Sequence, residues 1–171
     1  RARIAAQRGS ILARAEAEPA LERLIRVMRR LNPDKAFELD LHQPGTLLAM
    51  EQQDLEEVVG NLLENAARFA DKRIVVRMTT GSHPSSDPDI TRRAWIELTV
   101  EDDGPGLEPD QITEALKRGR RLDESRPGTG LGLSIVSEVV SEYHGKFTLS
   151  RSELGGLKAT LLLPGLSKEL A

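Results

Sequence analysis

The sequence predicts an α+β chain folded as a two-layer α/β sandwich, with helices on one face of a mixed, mostly antiparallel sheet. Three observations carry this. Several short segments alternate apolar and polar residues with period two, as half-buried strands do. Two longer segments repeat apolar residues at i, i+3, i+4 and i+7, the stripe of a core-facing helix. Gly, Pro and Asn punctuate the two kinds of segment, and no internal repeat links them.

In chain order, Arg1 to Leu31 reads as two helical pieces interrupted near Pro19, with Leu21, Leu24, Ile25, Met28 and Leu31 at helical spacing. Its arginines are interleaved with Glu16, Glu18 and Glu22, which describes a solvated helix face. Asn32-Pro33-Asp34 stops the helix, and Phe37 to Leu41 alternates as a strand, with a further short strand around Thr46 to Ala49. A helix from about Asp54 to Ala70 follows, its stripe formed by Leu55, Val58, Val59, Leu62, Leu63 and Ala66. Arg73 to Thr79 and Ala94 to Glu101 alternate as strands, and the polar, Pro-rich stretch from Gly81 to Asp89 between them reads as a mobile, dispensable connection. Leu107 to Pro127 carries one short helix, from Pro109 to near Arg118-Gly119. Another helix opens at Gly128-Thr129-Gly130-Leu131-Gly132-Leu133, shows Ile135, Val136, Val139, Val140 and Tyr143 on one face and ends at Gly145. Strands around Lys146 to Ser150 and Leu157 to Leu163 close the chain through a hairpin-like turn at Glu153-Leu154-Gly155-Gly156.

Composition narrows the classes. With 171 residues, 39% of them hydrophobic, the chain can bury a sizeable core. Only 3% is aromatic, so that core is aliphatic. A formal net charge of −3 lacks the basic surface that phosphate backbones require, which argues against nucleic acid. The absence of cysteine excludes disulfides, thiolate metal sites and thiol nucleophiles. No apolar run approaches the ~18 residues of a spanning helix. The sequence begins at Arg1 rather than Met, which suggests a piece of a longer protein.

Chemistry concentrates in three places. On the long helix Asn61, Asn65 and Arg68 follow i, i+4, i+7, stacking two amides and a guanidinium on a strip beside the apolar stripe. Two mid-helix asparagines oppose helix propensity, a local cost that a solvated Lys and Glu face avoids. Asp102-Asp103-Gly104-Pro105-Gly106 ends a strand abruptly, where Asp is also an ordinary turn former. Gly128-x-Gly130-x-Gly132 before a helix lets backbone N–H groups approach an anion at a positive helix end. By itself the glycine pattern is weak: it lies late in the chain, lacks the Walker Gly-Lys-Ser/Thr, and is not the Rossmann first turn.

Taken in order, Asn61-x-x-x-Asn65, Asp102-x-Gly104-x-Gly106 and Gly128-x-Gly130-x-Gly132 resemble the N, G1 and G2 boxes of the GHKL (Bergerat) ATP-binding fold. Asn61-Leu62-Leu63-Glu64-Asn65-Ala66 resembles the form found in sensor histidine kinases, and Arg118 to Gly128 resembles the PhoQ-type subgroup with its short ATP lid. The similarity covers roughly Phe37 to Pro164. It implies ATP and Mg²⁺ as ligands. Asn65 is then the Mg²⁺ ligand, one amide oxygen sufficing for a hard ion that keeps several waters. Asp102 accepts the adenine exocyclic amine, where the carbonyl of guanine would meet a carboxylate instead. Gly104 and Gly106 let the backbone run against the base, and Leu107 and Ile135 line its pocket. Arg68, Arg121 and Arg126 pair with phosphates through their forked donors, whereas Arg118 and Arg120 read as solvated lid residues. Gly128, Thr129, Gly130, Leu131, Gly132 and Leu133 complete the nucleotide set. Phe69 has two readings, packing on the nucleotide or closing the core.

The resemblance gives Asn61, Asn65, Arg121 and Arg126 as the residues acting in phosphoryl transfer. ATP-hydrolysing relatives such as gyrase, mismatch-repair and heat-shock clamps carry a glutamate at the position of Asn61, and an amide cannot accept a proton from water. The implied function is therefore the catalytic, ATP-binding domain of a two-component sensor histidine kinase, a signal-transducing phosphorelay enzyme that moves the γ-phosphoryl to a histidine. A degenerate nucleotide-binding scaffold, or a serine kinase or ATPase of the same fold, are the alternatives. His42, His83 and His144 read as ordinary surface or capping histidines, so the acceptor belongs upstream. Residues 1–33 are then the helical remnant of the dimerisation region and linker, and 34–171 the catalytic domain. Expected partners are the histidine-bearing dimerisation domain and a response regulator, with no nucleic acid and no membrane contact by this piece. The piece itself is expected to be monomeric and cytoplasmic, the parent a homodimer of the inner membrane.

Overall fold

The computed structural model describes residues 13–121 and 131–166, excluding the side chains of residues 118–121 and 131. A five-stranded sheet runs β2–β4–β5–β7–β6, built from β2 (Ala36–Leu41), β4 (Arg73–Gly81), β5 (Trp95–Asp102), β6 (Lys146–Arg151) and β7 (Leu157–Pro164). Only β2 and β4 run parallel. A parallel pair needs a long crossover, and α2 (Gln52–Phe69) lies within it. Antiparallel neighbours join by hairpins, as at β6 and β7, where Gly155 takes φ +106° in the turn. The sheet is therefore mixed and mostly antiparallel.

Its inner face presents Ile74, Val76, Met78, Leu98, Val100, Ala159, Leu161 and Leu163 to the helices. The α2 stripe of Leu55, Val58, Val59, Leu62, Leu63 and Ala66 packs there, beside Leu133, Val136, Val139 and Val140 of α5 (Leu131–Glu142). The outer face carries the alternate residues and is polar: Arg73 pairs with Glu38, and Arg77 reaches Asp40 at 3.0 Å and Glu101 at 3.4 Å.

Several local expectations are corrected. Pro19 does not itself break a helix. Pro19 sits in the first turn of α1 (Ala17–Leu31), where a missing N–H costs nothing, and a short strand precedes it. That strand, β1 (Ala15–Glu16), pairs antiparallel with β3 (Leu47–Leu48), which in turn bridges to Gly165 beyond β7. The helical piece expected earlier in the chain lies mainly outside the described residues. Ala17, Ala20, Leu21, Ile25 and Met28 of α1 are buried in the same core as the sheet.

The stretch 81–89 is anchored rather than loose. It ends in a short helix, α3 (Pro88–Thr91), capped by the Asp87 carboxylate on Asp89 N, and Trp95 Nε1 donates to Ile90 O at 2.8 Å. His83 is buried, not a surface residue: its ring lies 4.6 Å from that of Trp95, and Nε2 is 2.8 Å from His144 O. His144 takes φ +60° after α5, so the left-handed capping conformation falls on His144 and not on Gly145, which was expected to end the helix. The helix expected from Pro109 is α4 (Pro109–Arg121).

Candidate functional site

Three chemically distinct segments are joined through α2, which touches the loop after β5 at one point and the start of α5 at another. The first is the flank of α2. Asn61 and Asn65 are half-buried, one turn apart, while Arg68 and Phe69 are exposed at the C-terminal end. Phe69 is 49% exposed, so its ring does not close the core. Asn61 Nδ2 donates to Glu57 O at 2.7 Å, which commits the amide nitrogen to its own helix. Its Oδ1 faces the start of α5: a Cβ on Gly132 would lie 3.0 Å from it. A glycine there lets the two helices close.

The second segment is the loop after β5. Asp102 is 3% exposed, and its Oδ1 accepts from Gly104 N at 2.9 Å and Leu157 N at 3.4 Å. Burial pushes this carboxyl above its ordinary value, against the pull of those two N–H groups, and the neighbouring Asp103 adds to the rise. At Gly104 a Cβ would run into the carbonyl oxygen of Phe69, so only glycine allows the loop to pass the end of α2. Gly106 takes φ +70°, with its α-carbon packed toward the Gly155–Gly156 turn. Leu107 is partly buried against the core, and Leu133 is buried.

The third is the N-terminus of α5, which carries the positive end of its helix dipole. Arg126, Gly128, Thr129 and Gly130 lie outside the described residues. Arg121 ends α4 and Leu131 begins α5, with their side chains outside the described set.

Several residues that hold the site together were not singled out by the sequence. Asp103 Oδ1 accepts backbone N–H groups from Asp71, Lys72 and Arg73 at 2.9, 2.9 and 3.0 Å, clamping the turn after α2 to the loop after β5. Burial works to raise this carboxyl, but the N–H groups of Arg73, Lys72 and Asp71 outweigh it and hold the value below the ordinary carboxylate range. Lys35 Nζ donates to Ala67 O near the end of α2 and contributes positive potential at Asp102. Gly156 sits against Asp102: its Cβ would strike the carboxylate and lie 2.6 Å from Gly104 N. The doubled Asp and doubled Gly were the only sequence signals, and both also describe ordinary turns.

The site thus combines a buried acceptor, a glycine-lined backbone that admits close approach, and a helix N-terminus suited to negative charge. Residues 50–166 match the family described as histidine kinase-, DNA gyrase B-, and HSP90-like ATPases, and the chain belongs to it. Its fold is that of a nucleotide-binding domain. Among similar proteins is the sensor protein kinase CarS of Pseudomonas aeruginosa, 39% identical over 71% of this chain and 25% of that protein. The two-component sensor PhoQ of the same organism is 34% identical over 86% of this chain and 31% of its own length. The chain therefore spans between a quarter and a third of these curated relatives. Among solved structures, the mycobacterial sensor histidine kinase MprB superposes with a TM-score of 0.70 at 26% identity, covering 89% of this chain and 96% of that one. The ATP-binding domain of PrrB from Mycobacterium tuberculosis has the same TM-score at 21% identity, covering 91% and 98%, and shares the fold.

Proposed function

We propose that this chain is the ATP-binding catalytic domain of a two-component sensor histidine kinase. It supplies Mg·ATP for transfer of the γ-phosphoryl to a histidine on a dimerisation helix, with a response regulator as the next acceptor. The observation that carries the reading is that one helix, α2, touches both the start of α5, with Asn61 against Gly132, and the loop after the buried Asp102, with Phe69 O against Gly104.

The residues fit the ligand. Asp102 offers a fixed acceptor for an exocyclic amine, because Oδ1 is already engaged by two backbone N–H groups. Gly104, Gly106 and Leu107 form the backbone and apolar wall beside it. Asn65 presents a neutral amide, the donor type that suits a hard cation carrying most of its charge balance on phosphate. Arg68, Arg121 and Arg126 are assigned to phosphate oxygens, and Phe69, exposed at the end of α2, to the nucleotide. Gly128, Thr129, Gly130, Leu131, Gly132 and Leu133 are assigned to the phosphate approach at α5. When bound, Mg²⁺ neutralises phosphate charge; the chain's own work is to position and to exclude water. Asn61 cannot take a proton from water, and its nitrogen is tied to Glu57 O, so hydrolysis is not the favoured outcome.

Residues 1–33 are proposed to lead from the dimerisation region, with α1 as the segment that seats this lead on the catalytic core. Among the described residues no helix is long and apolar enough to cross a membrane. The parent is proposed to be an inner-membrane homodimer with this domain on the cytoplasmic side.

Isothermal titration of this chain with ATP, ADP and GTP, with and without Mg²⁺, tests the reading. Adenine-selective, Mg²⁺-strengthened binding is expected, followed by phosphorylation when an upstream histidine-bearing helix pair is joined on. Binding without transfer in that longer protein would instead make it a nucleotide-sensing scaffold.

A further inference from the structure

Asp102 reads the base only if its carboxylate points one way, and its orientation depends on a turn more than fifty residues later. Gly156 N donates to Asp102 O at 3.1 Å, and Leu157 N reaches Asp102 Oδ1. The Gly155–Gly156 carbonyls lie against Gly106, so the loop after β5 rests on this turn at Gly106 as well as on the end of α2. The turn is itself organised by Ser152. Its backbone N–H donates to Gly156 O at 2.8 Å, its carbonyl accepts from Gly155 N at 3.0 Å, and its Oγ accepts from Leu154 N at 3.0 Å. The same Oγ donates to Glu101 Oε1 at 2.9 Å. Glu101 precedes Asp102 on β5 and, by strand alternation, points to the opposite face of the sheet. Ser152 and Glu101 are 4% and 5% exposed, although Glu101 lies on the outer face where carboxylates are normally solvated. A buried carboxylate with a hydroxyl donor and Arg77 at 3.4 Å is a fixed anchor, not a surface charge.

We infer that Ser152 and Glu101 are positioning residues for base recognition: their buried hydrogen bond sets the β6–β7 turn, which sets the direction of the Asp102 carboxylate. The inference rests on the adenine-reading role given to Asp102 above. Neither side chain touches the base. Glu101 holds one strand end from the outer face while the turn holds the carboxylate from the inner face, so the acceptor is gripped through the sheet.

The test is titration of the 171-residue chain with ATP and GTP, well below the melting temperature of each variant. Ser152→Ala removes the Oγ bonds to Glu101 and from Leu154 N, and should weaken ATP binding about five- to tenfold as part of that loss reaches the site, narrowing the preference for ATP over GTP. Ser152→Thr and Glu101→Gln keep the donor and the acceptor oxygen and should bind like the parent. Glu101→Ala should weaken ATP binding and narrow the ATP-to-GTP preference in the same direction, and the double variant should lose less than the sum of the two. Asp102→Asn separates the two ideas: ATP binding unchanged in that variant would remove the adenine reading and this inference with it. Weakened binding in Asp102→Asn together with an unchanged Kd and ATP-to-GTP ratio in Ser152→Ala would overturn the inference alone. Equal weakening of ATP and GTP, or no rescue by Ser152→Thr, would also overturn it, since general loosening of the turn then suffices.

Discussion

Replacing Asp103 with Asn should cost this domain about 2 kcal/mol at neutral pH, and the cost should disappear on acidification. The carboxylate accepts three consecutive backbone N–H groups, from Asp71, Lys72 and Arg73, at 2.9 to 3.0 Å. An amide of the same shape keeps one accepting oxygen but loses the charge, and its NH₂ faces donors. Charge assistance is worth about 1 kcal/mol per hydrogen bond, and solvent at this partly exposed site reduces the sum of three to about 2 kcal/mol. For a chain of this size that lowers the melting temperature by about 4–8 °C. The Asp103 carboxyl is held below its ordinary value in the folded state. The charged form therefore stabilises fully above the unfolded value of about 3.9, and the contribution is lost as pH falls through the depressed folded value. Thermal unfolding of the two chains from pH 7 downward should show a gap that is constant to about pH 5 and narrows below about pH 4. No gap at pH 7, or a gap that widens with acid, would refute the clamp.

Two further substitutions probe the site directly. Asn65→Ala should remove the Mg²⁺-dependent part of ATP affinity in calorimetric titration while leaving the fold unharmed, because alanine improves helix propensity by about 0.5 kcal/mol. Equal Mg²⁺ dependence in that variant would take Asn65 out of the site. Gly104→Ala places a methyl group against the Phe69 carbonyl oxygen and 3.0 Å from Asp102 Oδ1, so the loop after β5 must move away from α2. It should destabilise by about 1–3 kcal/mol and abolish ATP binding, measured by denaturant melts and titration, and intact binding would show that the close passage is not required.

Much of the architecture was legible because it follows from periodicity. The two-residue alternation of Ile74, Val76, Met78 and of Leu98, Val100 fixed which strand faces meet the helices, and the stripe from Leu55 to Ala66 fixed the buried side of α2. The structure sets Gly132 against Asn61 and Gly104 against Asp102 and the end of α2, and glycine where a Cβ collides leaves a readable trace in the sequence. His83 was misjudged for a corresponding reason: a polar stretch rich in Pro and Ser gives no sign that one ring will be sheltered by Trp95 and the end of α5.

The sequence by itself determined the periods, the breakers and the residue types able to do chemistry, because these depend on neighbours within a turn of helix or a strand's width. Tertiary structure alone decided which distant residues support that chemistry. The Asp103 clamp joins residues about thirty positions apart, and Ser152 reaches Glu101 across fifty-one. Hydrogen bonds of that reach have no periodic signature, since the chain between them can be of almost any length at little entropic cost. Only the sheet, by bringing β4, β5 and β7 into register, selects the partners.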